Sequence, residues 1–166
     1  MKQPYQTKDF PLAAFLVSSG LALQAHDRSY GVSTFDLTPS DRSNSYIGLL
    51  VSDRDWVRYR AHFWDNGTIT TVWQQPGDSS RRVHVITIDE FIRDTPNGPD
   101  SKPVFEEKML GSEIAITGNL SVVWARYEAK FGSPDSLARW QGTDVFTLLR
   151  FGGSWKIVSL VFQGDS

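Results

Sequence analysis

The run Gln141-Gly-Thr-Asp-Val-Phe-Thr-Leu-Leu-Arg150 leads through Phe151-Gly-Gly-Ser154 into Trp155-Lys-Ile-Val-Ser159. Two stretches rich in β-branched and aromatic residues lie on either side of a Gly-Gly pair. This pattern predicts two antiparallel strands joined by a tight turn. We expect them to span residues 138–150 and 154–162.

The chain before this hairpin alternates short strands and short helices. Strands are predicted at 68–73, 105–110, 113–117 and 122–131, where β-branched and aromatic residues cluster. Ser52 with Asp55, and Thr87 with Glu90, have the spacing of helix-starting capping boxes. Two short helices followed by a run of antiparallel strands predict an α+β fold.

The N-terminal third has a different character. Residues 9–25 place apolar side chains at helical spacing, and residues 30–37 read as a strand. Residues 38–45 contain no apolar residue and predict a linker. We therefore divide the chain into a helix-and-strand segment, 1–50, and a main domain, 51–166.

Composition excludes several classes of protein. The net charge is −2, and basic residues are interspersed with acidic ones, which argues against a nucleic-acid partner. The chain has no cysteine, so disulfides and thiolate chemistry are excluded. The apolar run near the N-terminus is too short to span a membrane, and we expect a cytoplasmic protein, with export by this segment as the alternative.

Five segments in order carry a family resemblance. They are Ala61–Thr71, Ile86–Ile92, Asn119–Glu128, Gln141–Arg150 and Gly153–Ser159. Together they resemble the NTF2-like superfamily, of the SnoaL and ketosteroid-isomerase type, over residues 54–163. The resemblance implies a curved antiparallel sheet that forms a cone around a pocket, and a homodimer formed through the convex face of the sheet.

The N-terminal segment departs from that family. The long first helix that normally crosses the mouth of the cone is missing between residues 26 and 52. Residues 7–16 instead weakly resemble a small bacterial domain family of unknown function. Residues 9–25 either replace the missing helix or belong to a small added unit, and replacement is favoured because a bare cone would expose apolar surface.

Strand alternation predicts which side chains face the pocket. If Gly152-Gly153 is a two-residue turn, Arg150 pairs with Trp155 and Leu148 with Ile157. The face of Trp155 is taken as concave, with Lys156 pointing away from it. The predicted concave set is Ile157, Ser159 and Val161 in the last strand, Gly142, Asp144, Phe146 and Leu148 in the strand before it, and Trp124, Arg126 and Glu128 in the middle strand.

Few of these residues are polar. Asp144 with Arg126 is predicted to be either a catalytic pair or an internal ion pair. A carboxylate in an apolar cavity has its pKa raised and can act as a general base. The expected ligand-binding residues are Trp73, Trp124, Glu128, Phe146, Leu148, Ile157 and Ser159. No motif for a metal or a cofactor is present, and none is expected.

Three functions therefore remain open. The first is binding of a small hydrophobic ligand in the cone. The second is acid–base catalysis on a polycyclic substrate with Asp144 as general acid or base. The third is a non-catalytic interaction protein whose cone is filled by its own side chains. An apolar outer face of Val145, Leu149, Val158, Leu160 and Phe162 predicts a homodimer for all three.

Overall fold

The computed structural model describes residues 21–29, 32–39, 51–73 and 79–165. These residues contain eight strands and two short α-helices. In chain order the elements are β1 (Leu21–Ser29), β2 (Val32–Pro39), α1 (Trp56–Ala61), β3 (Phe63–Trp73), β4 (Arg82–Thr87), α2 (Ile88–Asp94), two 3-10 turns (Thr95–Asn97 and Pro99–Ser101), β5 (Val104–Thr117), β6 (Leu120–Ser133), β7 (Ser136–Phe151) and β8 (Ser154–Gly164).

All eight strands form one curved sheet in the order β1-β2-β5-β6-β7-β8-β3-β4. Strands β5 to β8 form an antiparallel meander, as predicted, but the two strands expected at 105–110 and 113–117 are one continuous strand, β5. Strand β3 joins the sheet by pairing in parallel with β8. The predicted turn is confirmed, because Arg150 pairs with Trp155 and Leu148 with Ile157. The α+β class is therefore confirmed, with one parallel pair inside an otherwise antiparallel sheet.

Local signals explain where the two helices begin. The Asp55 side chain accepts a hydrogen bond from the Arg58 backbone N–H at 3.1 Å and caps α1. Ser52 takes no part in that cap, so the first predicted capping box is wrong. The second is confirmed: Thr87 and Glu90 cap α2 reciprocally, with the Thr87 N–H donating to Glu90 Oε2 at 2.8 Å.

The N-terminal predictions are only partly covered by the described residues. Residues 21–25 lie in β1 and are extended, so the helix predicted over 9–25 is wrong there, and its remainder lies outside the described residues. The strand predicted over 30–37 is confirmed from residue 32 onward as β2, and residues 30 and 31 lie outside the described residues. Strand β2 pairs with β5, so the β1–β2 hairpin extends the sheet at one edge. Residues 38 and 39 of the predicted linker belong to β2, so that prediction is wrong there, and positions 40–45 lie outside the described residues.

Two bulges set which side chains face the core. Leu110 is an extra residue in β5 opposite β6, and Val158 is an extra residue in β8 opposite β7. A bulge reverses the alternation of faces beyond it. The inner face, defined here as the one that packs on α1 and α2, carries the core. The largest fully buried apolar side chains of this core are Phe63, Ile88, Ile114, Leu148 and Ile157.

The helices of the described ranges are short. None of them has the length and apolar character needed to cross a membrane.

Candidate functional site

The inner face of the central strand β6 carries small side chains around one tyrosine. The buried side chains of β6 are those of Ser121, Val123, Ala125, Tyr127 and Ala129. Cross-strand pairing extends three of these positions into rows, which run Ser112–Ala125–Asp144, Met109–Tyr127–Gly142 and Glu107–Ala129–Trp140. Alanine occupies the inner β6 position on either side of Tyr127, and each outer row carries one carboxyl group.

Asp144 occupies the position predicted for it. It lies on the inner face of β7 between the positions of Phe146 and Gly142, and only 8% of its surface is exposed. Burial among apolar groups raises the pKa of this carboxyl well above its ordinary value, and the nearby charge of Glu107 raises that pKa further. Asp144 therefore keeps its proton more readily than a surface aspartate does.

Glu107 is the second inner carboxyl, and the sequence analysis missed it. It lies in β5 and is partly buried, and its backbone N–H donates to Ser52 Oγ at 3.1 Å. Desolvation raises the pKa of its carboxyl to about 7. The available signal was parity, because Glu107 shares the face of the apolar residues Phe105 and Met109, whereas the exposed Glu106 and Lys108 have the opposite parity.

Two buried phenols accompany the carboxyls. Tyr59 on α1 is 4% exposed. The centroid of its ring lies 5.3 Å from that of Phe63, 5.8 Å from that of Trp56 and 6.0 Å from that of Phe91. Burial, and then the charges of Glu107 and Asp144, raise the pKa of Tyr59. Burial and the charge of Asp144 likewise raise the pKa of Tyr127 to about 12. Both phenols are therefore neutral hydrogen-bond donors at neutral pH.

Three further polar atoms lie buried on the same face. Ser112 Oγ, Ser121 Oγ and Trp155 Nε1 have no hydrogen-bond partner in the described part of the chain. Ser121 is 1% exposed and Trp155 is 5% exposed. A buried polar atom without a partner costs about 1–3 kcal/mol. Each of the three is therefore an unsatisfied donor or acceptor on the inner face.

The face predicted for the middle strand is wrong. Trp124 is 43% exposed, and Arg126 lies on the outer face with its guanidinium on Asp165, at 2.8 Å between Nη2 and Oδ2. Glu128 shares that outer parity. The buried set is the odd-numbered one, so Arg126 does not pair with Asp144. The alternating charges of Arg126, Glu128 and Lys130 were the signal for an outer face.

The bulge at Val158 changes which residues of β8 face the core beyond it. Phe146, Leu148 and Ile157 lie on the inner face, as predicted. Ser159 pairs with Thr147 on the outer face, and Val161 beyond it is 45% exposed, so both inner-face predictions are wrong. Leu160 is buried and Phe162 packs against the core, which makes their predicted outer position wrong as well.

Trp73 ends β3, where its backbone pairs with Arg82. The position of its side chain lies outside what the structure describes. Within the described ranges, no group of three or more acidic and histidine side chains is placed to hold a metal ion.

Comparison with known proteins finds similarity at the level of structure only. No protein-family model matches the chain, and no curated protein matches it. An NTF2-like protein with a cystatin-like fold from Novosphingobium aromaticivorans superposes with a TM-score of 0.56 at 11% identity, over 70% of this chain and 73% of that one.

Two other solved structures are similar to the same degree. A protein of unknown function with a cystatin-like fold from Nostoc punctiforme gives a TM-score of 0.57 at 11% identity, over 72% of this chain and 83% of that one. The β subunit of benzoate 1,2-dioxygenase from Burkholderia mallei gives 0.54 at 11% identity, over 72% and 83%. This chain therefore has the NTF2-like α+β fold, a fold found in proteins of diverse activity.

Proposed function

We propose that this chain binds a small, largely apolar molecule on the inner face of its curved sheet. The observation that carries the proposal is the set of polar atoms on that face: two desolvated carboxyls, and three buried donors or acceptors without a partner in the described residues. Ligand sites combine an apolar lining with a few polar groups that fix orientation. The apolar lining here is the core around Phe146, Leu148 and Ile157.

A screen for binding tests this function. Thermal shift and calorimetry are run on the full chain with 2-naphthol, 9-phenanthrol and oestradiol, beside Asp144→Asn and the outer-face control Glu113→Gln. A ligand that binds only the native state raises the melting temperature. We expect at least one probe to stabilise the wild type and the control, with weaker binding to Asp144→Asn.

The opposite result is equally informative. If no probe binds and Asp144→Asn simply melts earlier, Asp144 is a structural residue. The reading as an interaction protein with a filled cone then replaces the binding proposal.

A second candidate function is acid–base catalysis, and the pKa of Glu107 favours it. A general acid or base is most effective when its pKa is near the working pH, and the pKa of Glu107 is about 7. Asp144 would be its partner, and the neutral phenols of Tyr59 and Tyr127 are the donors available to a developing oxyanion. Arg126 and Ser159 face outward and have no place in this scheme. Turnover that is lost in Asp144→Asn, with binding retained, would support it.

We further propose that the outer face forms a homodimer. Cross-strand pairs join one residue from each of five strands in an outer apolar row, Trp124–Val145–Val161–Thr70–Val85. Trp124, Val161 and Val85 are 43%, 45% and 62% exposed. Light scattering after size exclusion should show a dimer that Val161→Glu dissociates, and that the matched change at the exposed helix residue Val57 leaves intact. A monomeric wild type would contradict the proposal.

A further inference from the structure

We propose that strand β4 pairs with β4 of a second copy of this chain, in antiparallel orientation, so that one sheet continues through both molecules. The surface involved is the β4 edge, defined as the side of β4 that faces away from β3. This contact is separate from the outer-face homodimer and from the binding function of the inner face. Three features support it: the exposure of β4, its contrast with the opposite edge of the sheet, and the charges at its two ends.

The β4 edge has no partner strand in the described part of the chain. Strand β4 is the last in the sheet order, and its other side pairs with β3. The backbone N–H and C=O groups along such an edge form a template for another strand. Val83 and Val85 lie on the outer face of β4 and are 67% and 62% exposed. The strand is therefore open to solvent where a second strand would be added.

The opposite edge of the sheet is protected against pairing. Strand β1 forms that edge, with a bulge at His26 followed by the charged residues Asp27 and Arg28. Bulges and charged residues are common means of preventing an edge strand from pairing with another chain. Between Val83 and Thr87, β4 pairs with β3 without a bulge and contains no proline, acid, lysine or arginine. The β4 edge thus lacks the features that prevent pairing.

The charges at the two ends of β4 favour a second copy in antiparallel orientation. Arg81 and Arg82 are exposed where β4 begins, and Asp89 and Glu90 are exposed just beyond its end, in the first turn of α2. In an antiparallel pair of two copies, the start of each β4 lies beside the end of the other, so arginines approach acids. A parallel pair would place like charges side by side. Opposite charges across strands stabilise a sheet, and like charges destabilise it.

The exposed valines favour one register. A two-fold axis at His84 places Val83 of each copy opposite Val85 of the partner subunit, which gives two valine pairs on the outer face. An axis at Val83 or at Val85 gives only one such pair. Cross-strand pairs of β-branched side chains stabilise a sheet, and a two-fold axis repeats every contact. The register centred on His84 therefore pairs all the exposed valines of β4.

Sedimentation equilibrium tests the contact on Val161→Glu, a variant in which the outer-face contact is removed. Strand β4 has six residues, and so small an interface is weak. Over protein concentrations from about 10 µM to about 500 µM, we expect dimerisation with a Kd of about 100 µM. Adding Val83→Lys, which places a charge beside the edge, should weaken this association about tenfold or more. Adding Val57→Lys instead, at a helix residue that is 83% exposed, should leave it unchanged.

Engineered cysteines test orientation and register, because the chain has no cysteine of its own. Cα atoms of directly opposed residues in antiparallel strands lie about 4.5–5.5 Å apart, within the range of a disulfide. An oxidised mixture of Val83→Cys and Val85→Cys should therefore form mainly the mixed disulfide dimer, as detected by mass spectrometry. Each variant alone should cross-link more slowly. Faster cross-linking of each variant to itself would contradict the antiparallel register.

A Val161→Glu protein that stays monomeric at every concentration would overturn self-pairing. Hydrogen exchange of the β4 amides then identifies what replaces it. Slow exchange in the monomer means that the chain itself covers the edge, and rapid exchange leaves the edge to a strand of another protein. Failure of the outer-face homodimer would instead appear as a wild type that is monomeric in size exclusion, and failure of the binding function as an absence of binding in the ligand screen.

Discussion

The ring of Tyr127 lies directly against Gly142 on the neighbouring strand. A Cβ atom placed on Gly142 would come within 2.5 Å of Tyr127 Cζ and Oη, and would also meet the Gln163 carbonyl oxygen. Such contacts are far closer than carbon atoms tolerate, and the backbone of β8 cannot move away without breaking the sheet. The missing side chain at 142 therefore fixes the phenol between the two carboxyl rows.

Gly142→Ala should accordingly destabilise the protein by about 1–3 kcal/mol, because overpacking a core forces side chains and backbone apart. Urea denaturation measures the change in the free energy of unfolding. Gly111→Ala is the matched control, since a Cβ at Gly111 meets nothing within 4 Å. Equal effects at the two positions would show that the contact with Tyr127 has no energetic role.

The raised pKa of Glu107 predicts how stability depends on pH. The folded pKa of about 7 exceeds the ordinary value of 4.5, so the folded protein binds more protons than the unfolded chain between these values. Stability from this group is therefore present below pH 4.5 and is lost as the pH rises to about 7, at up to about 1.4 kcal/mol per pH unit. Relative to wild type, Glu107→Gln should gain about 2–3 kcal/mol between pH 4.5 and pH 8.

Urea denaturation of both proteins at pH 4.5 and pH 8 checks this prediction. Glu113→Gln, an exposed position on the same strand, is measured beside them as the control. A Glu107→Gln variant with the same offset from wild type at both pH values would mean that Glu107 ionises normally in the folded protein.

The cap of α2 should contribute measurably to stability. The Thr87 hydroxyl accepts a hydrogen bond from the Glu90 N–H at 3.2 Å, and Glu90 accepts one from the Thr87 N–H. Thr87→Ala removes the first acceptor and should cost about 1 kcal/mol of unfolding free energy. Glu90→Gln keeps a suitable acceptor and should cost less. Thermal and urea unfolding of the two variants would refute the prediction if Glu90→Gln proved the more damaging.

Arg126 should have no influence on inner-face binding. Its guanidinium lies on the outer face with Asp165 and Thr143, and exposed ion pairs contribute little to stability. Arg126→Ala should therefore bind the probes of the proposed screen, such as 2-naphthol, within twofold of wild type. A tenfold change in affinity, measured by calorimetry, would place Arg126 in contact with the bound molecule after all.

Much of the cone was predictable from local patterns. Alternating residues and the Gly152-Gly153 turn determine the β7–β8 pairing, and the inner position of Asp144 follows from that register. The Thr87–Glu90 cap is equally local. These features depend on residues close in sequence, so the sequence displays them directly.

The faces of β6 and β8 were harder to predict because they depend on the neighbouring strands. The apolar character of Trp124 led to the prediction that its face of β6 points inward. Trp124 instead belongs to an outer surface that is itself partly apolar. The bulge at Val158 arises from the pairing of β8 with β7, and no turn residue in the sequence marks it. The charge of Glu107 on β5 acts on Asp144 on β7, with β6 between them. This interaction depends on strands that are far apart in sequence, so no local pattern predicts it.

The parallel pairing of β3 with β8 has a consequence for how the chain folds. Strand β3 follows α1 closely, yet its partner is the last strand, with Thr68 opposite Ser159 and Thr71 opposite Phe162. During synthesis, β3 has no partner on this side until β8 has been made, because paired residues such as Thr68 and Ser159 lie about ninety positions apart. Contacts between such distant parts of a chain slow folding and leave strand edges exposed in the meantime. The β3–β4 pair can therefore join the rest of the sheet only after β8 has been synthesised.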